Sequence, residues 1–235
     1  MKGRLFLIPT PLGEGDLHSV LTNPIFEIVQ KLDVFIVEET RSARRFLSAA
    51  GLKGRIDTLT FHELNEHSTQ ADAEKYVEIL DSGVDVGLLS EAGLPAVADP
   101  GAALVSLAHK HGVEIVPFVG PSSLMLALMS SGLNGQSFAF NGYLPVKADQ
   151  RRSEIKRLEK YSAQSGQTQI CIETPYRNDS LFADFLAVCS PDTQLCIAAD
   201  ITLPTQTIVT RSIAQWRNSQ FKIGKRPCVF VFSEK

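Results

Sequence analysis

The chain has 235 residues, of which 44% are hydrophobic and 21% charged, and its formal net charge is −3. These proportions belong to a globular protein of one large or two small domains and exclude a disordered or fibrous one. No apolar run approaches the ~18 residues of a membrane helix, and the apolar core after Arg4 is too short for a signal peptide, so no membrane partner and a cytoplasmic location are expected.

Strand and helix signals alternate along the chain. Residues 4–8 read as a short buried strand, and Asn23-Pro24 opens a helix, with Asn as N-cap and Pro in the first turn. Residues 34–37 form a second strand, followed by a helix over 42–50 that Gly51 stops. The run 84–89 is another strand. Asp99-Pro100 opens a helix lasting to Gly112, and 114–118 is the next strand. This β-then-α rhythm predicts a mostly parallel sheet with helices on both faces. A second series begins near Gly120: an apolar helix over 124–131, strands at 137–143, 168–173, 195–199, 205–210 and 228–232, and helices over 149–162, 178–189 and 212–217. The fold class is therefore α/β, with one domain over 1–117 and another over 118–235.

Charge follows the same division. Residues 1–120 hold 10 Lys/Arg against 17 Asp/Glu, a net of −7, and residues 121–235 hold 13 against 9, a net of +4. An acidic protein has little non-specific pull toward nucleic acid, and DNA is not an expected partner. The basic second half leaves room for a polyanion such as RNA. Arg151-Arg152, at the start of a helix that also carries Lys156, Arg157 and Lys160, is either a solvated face or a phosphate contact. The four cysteines have no C-x-x-C spacing, so neither a zinc knuckle nor a disulfide scaffold is expected.

Ligands of open α/β sheets sit beyond the carboxyl ends of the strands, which directs attention to the segments there. Pro9–Asp16 is a turn stiffened by two prolines and lacking the Lys of a phosphate loop. Glu38-Glu39-Thr40-Arg41 could position a substrate or accept a proton, or could simply be a helix start with acids where the dipole favours them. The histidines of His62-Glu63-Leu64-Asn65-Glu66-His67 stand five apart, about 140° round a helix, so no metal is expected; His62 and Glu66 remain candidates for a substrate cleft. Ser90–Gly101, rich in small residues, can offer backbone groups to a ligand. Gly120-Pro121-Ser122-Ser123 starts a helix at the domain junction, where anionic groups bind.

In order, Ile8–Gly13, Val37–Arg41, Phe61-His62-Glu63 with Asn65-Glu66, Ser90–Gly101, Gly120–Ser123, Gly142-Tyr143-Leu144-Pro145 with Arg151-Arg152, and Glu173-Thr174-Pro175-Tyr176-Arg177 resemble one family, the tetrapyrrole (corrin/porphyrin) methylase superfamily. Within it the chain is similar to the ribosomal RNA small subunit methyltransferase I group, which methylates a cytidine ribose 2′-hydroxyl. The resemblance implies S-adenosylmethionine (SAM) as donor, held in a cleft between two α/β domains, and a homodimer. By position it implies donor contacts from Leu12, Ala92, Gly93, Leu94, Val97, Ser122, Ser123, Glu173 and Ile201. A base for the acceptor hydroxyl would come from Glu39 first and Glu38 second, with Arg41 orienting the substrate; His62, Glu66, Arg151 and Arg152 would meet that substrate. Departures from the group's pattern include Glu91 for Asp, Leu94 for Thr and Tyr176 for His. In the second domain, Ala199-Asp200-Ile201-Thr202-Leu203 stands for Arg-Glu-Leu-Thr-Lys and Lys225-Arg226-Pro227 for Lys-Gly-Glu, and the helical C-terminal extension of longer members is not present. Methylation of a tetrapyrrole or another small molecule, and a catalytically silent SAM-binding protein, are the competing expectations.

Overall fold

The structure is a computed structural model that describes residues 1–65 and 67–234. Chain packing divides it into two compact units, Met1–Ser122 and Ser123–Lys235, so the division falls five residues beyond the boundary read from the sequence.

The first unit contains β1 (Arg4–Ile8), α1 (Asn23–Val29), β2 (Val34–Val37), α2 (Thr40–Leu47), β3 (Thr60–Glu63), α3 (Gln70–Asp81), β4 (Val86–Leu89), α4 (Gly101–Lys110) and β5 (Glu114–Pro117). Its sheet has the order β3-β2-β4-β1-β5, and every pairing is parallel. Parallel neighbours need a crossover, and the intervening helices supply it. Side chains alternate across the sheet. Phe6, Ile8, Phe35 and Val37 pack with Ile25, Val29, Phe46 and Leu47 of α1 and α2. Leu5, Ile36, Val86 and Leu88 pack on the other face with Val77, Leu80, Leu104 and Ala108 of α3 and α4. Gly87 keeps the first face closed, because a Cβ there would lie 2.8 Å from the Phe35 ring.

Local details differ from the sequence reading. Thr22, not Asn23, is the N-cap of α1, and it makes no side-chain capping bond. Helix α2 starts two residues early and ends at Leu47; a wider turn, Ser48–Leu52, follows, with Gly51 at φ 103°. Strand β3 and helix α3 were not anticipated. The strand is a partly exposed edge of mixed Thr-Phe-His-Glu composition, and the helix buries only Ala73, Val77 and Leu80 on an otherwise charged surface.

The second unit contains α5 (Ser123–Ser131), β6 (Phe138–Tyr143), α6 (Ala148–Ser165), β7 (Thr168–Glu173), α7 (Asn178–Val188), β8 (Gln194–Ala199), β9 (Thr207–Ser212), α8 (Ile213–Arg217) and β10 (Cys228–Ser233). Its sheet, β6-β7-β10-β8-β9, is parallel only between β6 and β7 and antiparallel at its other three pairings. The expected parallel pattern therefore stops at β7. Residues 200–206 join β8 to β9 without a helix, and a short connection returns the chain antiparallel. Phe185, Trp216, Phe230 and Phe232 form the centre of this core, and the Trp216 indole N–H donates to the Leu195 carbonyl at 2.8 Å. All four cysteines are buried and free, and burial pushes the Cys228 thiol up to about 12.

Arg151 is neither a solvated residue nor a phosphate contact. It is 3% exposed. Its guanidinium donates to Asp184 at 2.6 Å, Ser180 Oγ at 2.9 Å and the Val146 carbonyl at 2.9 Å, joining α6 to α7. Arg152 reaches the same carboxylate from the exposed side at 2.6 Å. Among the described residues, no helix is long and apolar enough to cross a membrane.

Removing one member of a buried ion pair leaves the other charge poorly compensated, at a cost of about 3–5 kcal/mol. Arg151→Ala is expected to destabilise the second unit by about that amount in urea unfolding, and Arg152→Ala by less than about 1 kcal/mol.

Candidate active site

Register places the site. Ile8 and Val37 both lie opposite Leu89, and Val37 lies opposite Glu63, so the segments after β1, β2, β3 and β4 leave the sheet in one row. Thr10 and Gly93 join two of them. The Thr10 N–H donates to the Gly93 carbonyl at 2.9 Å, and the Gly93 N–H donates to the Thr10 carbonyl at 3.1 Å. The Thr10 hydroxyl donates to the Ser90 carbonyl at 3.2 Å. Gly93 has φ 84°, and a Cβ there would lie 3.2 Å from Leu12 Cδ2 and 3.4 Å from the Pro121 carbonyl. Its peptide groups are thus engaged within the fold. The N–H groups of Ala92 and Leu94 have no hydrogen-bond partner among the described residues and are available to a ligand, whereas that of Val97 closes the turn over Pro95 and Ala96.

The rest of the β4 loop is held in an unusual conformation. Ala96 and Ala98 both have positive φ, at 64° and 60°, a region that disfavours L side chains and clusters at functional sites. Asp99 fixes them: its Oδ1 accepts from the N–H groups of Ala96 and Gly101, both at 2.8 Å.

Carboxylates dominate this edge, and their environments differ. Glu39 is the N-cap of α2, accepting from the N–H groups of Arg41 at 2.8 Å and Ser42 at 2.6 Å. The Ser42 N–H, then that of Arg41, holds its pKa down. A carboxylate so engaged is a poor proton acceptor, which argues against Glu39 as the leading base. Glu38 is shifted the other way, upward, first by burial and then by the charge of Asp99, with Glu91 adding to it; the Glu91 N–H opposes the shift. Glu63 Oε1 accepts from the Thr40 hydroxyl at 2.7 Å. Glu91, which the sequence reading did not single out for a role, accepts from the Ser42 hydroxyl at 2.6 Å.

A cavity of about 400 Å³ lies over this edge, lined by Thr10–Gly15, Ser42, Arg45, Phe46, Ala49 and Ser90–Ala92. Its volume is in the range of small-molecule sites. Leu12 and Ala92 line it, and so does Glu91; Glu38 and Glu39 do not. The signal for Glu91 was its place, two residues after β4 in the small-residue loop. Arg41 is exposed on α2 and lines a separate groove. Half-buried His62 lies on β3 with its ring centre 5.3 Å from that of Tyr76, away from both cavities. Glu66 lies outside the described residues. Leu94 is half-buried and Val97 is 45% exposed.

Ser122 ends the first unit and Ser123 begins α5. In the second unit, buried Glu173 accepts from the Arg177 guanidinium at 2.9 Å and the Thr174 N–H at 2.6 Å through Oε1. Its buried Oε2 has no partner among the described residues. Ile201 is buried in the turn after β8, between Asp200 and Thr202, both at positive φ. Among the described residues, no group of three His, Cys, Asp or Glu side chains is arranged to hold a metal.

No family model matches the chain. It is 33% identical over 212 residues to the ribosomal RNA small subunit methyltransferase I of Vibrio cholerae, covering 90% of this chain and 69% of that protein. The Pasteurella multocida protein of the same name is 30% identical over 238 residues, covering 100% of this chain and 80% of its own length. Among solved structures, the methyltransferase CobJ superposes with a TM-score of 0.64 at 18% identity, covering 97% of this chain and 93% of CobJ. The uroporphyrin-III C-methyltransferase of Thermus thermophilus, complexed with S-adenosylhomocysteine, gives 0.59 at 15%, covering 99% and 98%. These likenesses show the fold.

The Glu38 environment has a measurable consequence. Its carboxyl ionises less readily in the fold than at its ordinary value of 4.5, so its contribution favours the fold below that value and is lost as pH rises through the folded-state value. Glu38→Gln is therefore expected to be more stable than the parent at pH 7. That advantage disappears below about pH 4, where the parent carboxyl is protonated in both states; urea midpoints across pH measure it.

Proposed function

The chain belongs to the ribosomal RNA small subunit methyltransferase I family, and from that premise we propose that it transfers the methyl group of SAM to RNA, at the ribose 2′-hydroxyl of a small-subunit ribosomal RNA cytidine. The observation that carries this reading is the 400 Å³ cavity, which brings Leu12 and Ala92 of the donor loops beside the carboxylate of Glu91.

The residues fit a donor of this kind. The unpartnered N–H groups of Ala92 and Leu94 suit its polar atoms, and exposed Val97 is a further contact of the proposal. Gly93 leaves the space that a side chain would fill against Leu12 and Pro121. SAM supplies an electrophilic methyl group whose sulfur leaves as a neutral thioether. The protein's task is to align the acceptor oxygen with that methyl group and to take up the hydroxyl proton. Glu91 lines the cavity and would take that proton. Ser42 holds one Glu91 oxygen at 2.6 Å. Glu38 is a positioning residue, through the N–H of Glu91 that faces its carboxylate. Arg41 stands at the same helix start as a substrate-orienting group. The proposal includes a homodimer acting in the cytoplasm, which sedimentation of the purified chain and cell fractionation test.

The direct test is methylation of small ribosomal subunits from cells lacking the gene, with mass spectrometry of RNA fragments to identify the nucleoside; transfer to a tetrapyrrole and not to the particle would overturn the RNA assignment. General-base help is worth ~10²–10⁴ in rate. Glu91→Gln is expected to slow single-turnover methylation by about that factor with unchanged SAM affinity, whereas Glu39→Gln is expected to have a far smaller effect. Ala92→Trp fills the cavity wall and is expected to weaken SAM binding at least tenfold, about 1.4 kcal/mol, by calorimetry.

A further inference from the structure

One face of α2 carries a set of cations of which the chemistry above uses Arg41 alone. Arg41, Arg44, Arg45 and Ser48 recur at helical spacing and share a face. Lys53 joins them after the turn that Gly51 permits. Together they line a groove of about 950 Å³. Four of the 10 Lys/Arg in residues 1–120, where acids number 17, are therefore gathered in one place.

Their partners separate them. The Arg44 guanidinium is neutralised by Asp57 at 2.5 Å, and the Glu39 carboxylate is engaged by the start of α2. Arg45 and Lys53 make no ion pair among the described residues, nor does the Arg41 side chain. Arg45 and Ala49 line both this groove and the 400 Å³ cavity, so the cationic face leads to the site of reaction. No aromatic side chain lines the groove, which removes base stacking as its mode of recognition.

We propose that this face of α2 binds the sugar–phosphate backbone of the RNA whose hydroxyl enters the cavity; the inference rests on the methyltransferase reading above. Unpaired cations displace counterions from a polyanion. Arg41 and Arg45 are about 6 Å apart along the helix, a step that lets one face address successive phosphates. Contacts of this kind set position and carry no sequence information, so choice of the nucleotide rests with the cavity.

The test uses the full chain and a short single-stranded RNA, with fluorescence anisotropy over a range of salt. Arg45→Ala with Lys53→Ala removes two phosphate contacts. Affinity is expected to fall about 20-fold at about 0.1 M salt, and the slope of log affinity against log salt to flatten by about 1.4; Lys53→Ala alone, which lies outside the cavity lining, is expected to leave SAM affinity unchanged. Lys156→Ala with Lys160→Ala removes the same charge from exposed positions on α6 and is expected to leave RNA binding within about twofold, since it removes no contact. If the α2 double variant fails to fold, Arg45→Gln alone should lose about fivefold and about 0.7 of slope. Parent-like RNA affinity in a folded α2 variant that still methylates overturns this inference and leaves the methyltransferase reading standing. An equal loss from the α6 pair overturns it as well, by assigning the effect to bulk charge. A parent chain that binds SAM but neither binds nor methylates RNA overturns both readings.

Discussion

The loop-bearing edge of the first sheet depends on the paired hydrogen bonds between Thr10 and Gly93. Parallel pairing brings the ends of β1 and β4 side by side at Ile8 and Leu89, but strand register alone does not fix the loops that follow. The Thr10–Gly93 bridge extends the order of the sheet two residues past β1 and four past β4. It uses both peptide groups of Gly93, so this residue cannot itself offer them to a ligand. The consequence is a division of labour within three residues: Gly93 anchors the loop, while Ala92 and Leu94 keep their N–H groups open. The positive φ of Ala96 and Ala98 adds strain that the Asp99 carboxylate offsets through two short bonds.

The same edge shows why adjacent acids have different uses. Glu38 and Glu39 are neighbours in sequence, yet one sits at the end of a strand beside Asp99 and Glu91 and the other caps a helix. Burial and like charge disfavour ionisation of the first; two backbone donors favour it in the second. Glu91 then emerges from a different strand and lines the cavity. Two of these environments oppose each other electrostatically, and an edge that keeps Glu38 partly buried at some expense in stability is better explained by the work of the site than by the fold.

Much of this architecture was legible in the residues. Alternation and buried runs place nine of the ten strands among the described residues within two positions, because apolar strands such as Val86–Leu89 have nothing else to be. The exception, β3, is short, polar and at an edge, and carries too little apolar periodicity to stand out. Helix α3 had a readable start in Thr69 and Asp72, which form a reciprocal capping box, but its apolar stripe is narrow. The antiparallel half of the second sheet was not legible, since β10 enters between β7 and β8 from the end of the chain, a long-range choice that local pattern does not specify. At the site, the strand-end loops could be located from sequence, whereas the roles of Glu39 and Glu91 could not: capping and cavity lining follow from backbone direction.

Net charge proves a poor guide to available charge. The second half of the chain, at +4, engages Arg151 with Asp184, Arg177 with Glu173 and Arg226 with Asp200. Each of those carboxylates is buried, and a buried acid requires a partner. The Arg226–Asp200 pair, at 2.7 Å, also joins two departures from the group's pattern, one on each side of β9. An arginine gained in one segment therefore meets the acid of another, while Thr205 Oγ1 donates to the same carboxylate at 2.8 Å. The altered turn is internally satisfied and offers less charge to a ligand than its composition suggests. The first half, at −7, pairs Lys2, Arg4, Arg44, Arg55 and Lys75 with acids of its own. Its acids are drawn into caps, loop anchors and the carboxylate edge, and the side chains of Arg41, Arg45 and Lys53 stay unpaired on one groove. For a polyanionic substrate the relevant quantity is the charge that no neighbour has neutralised and the place where it gathers, and three such cations gather on the α2 groove, one of them also lining the cavity.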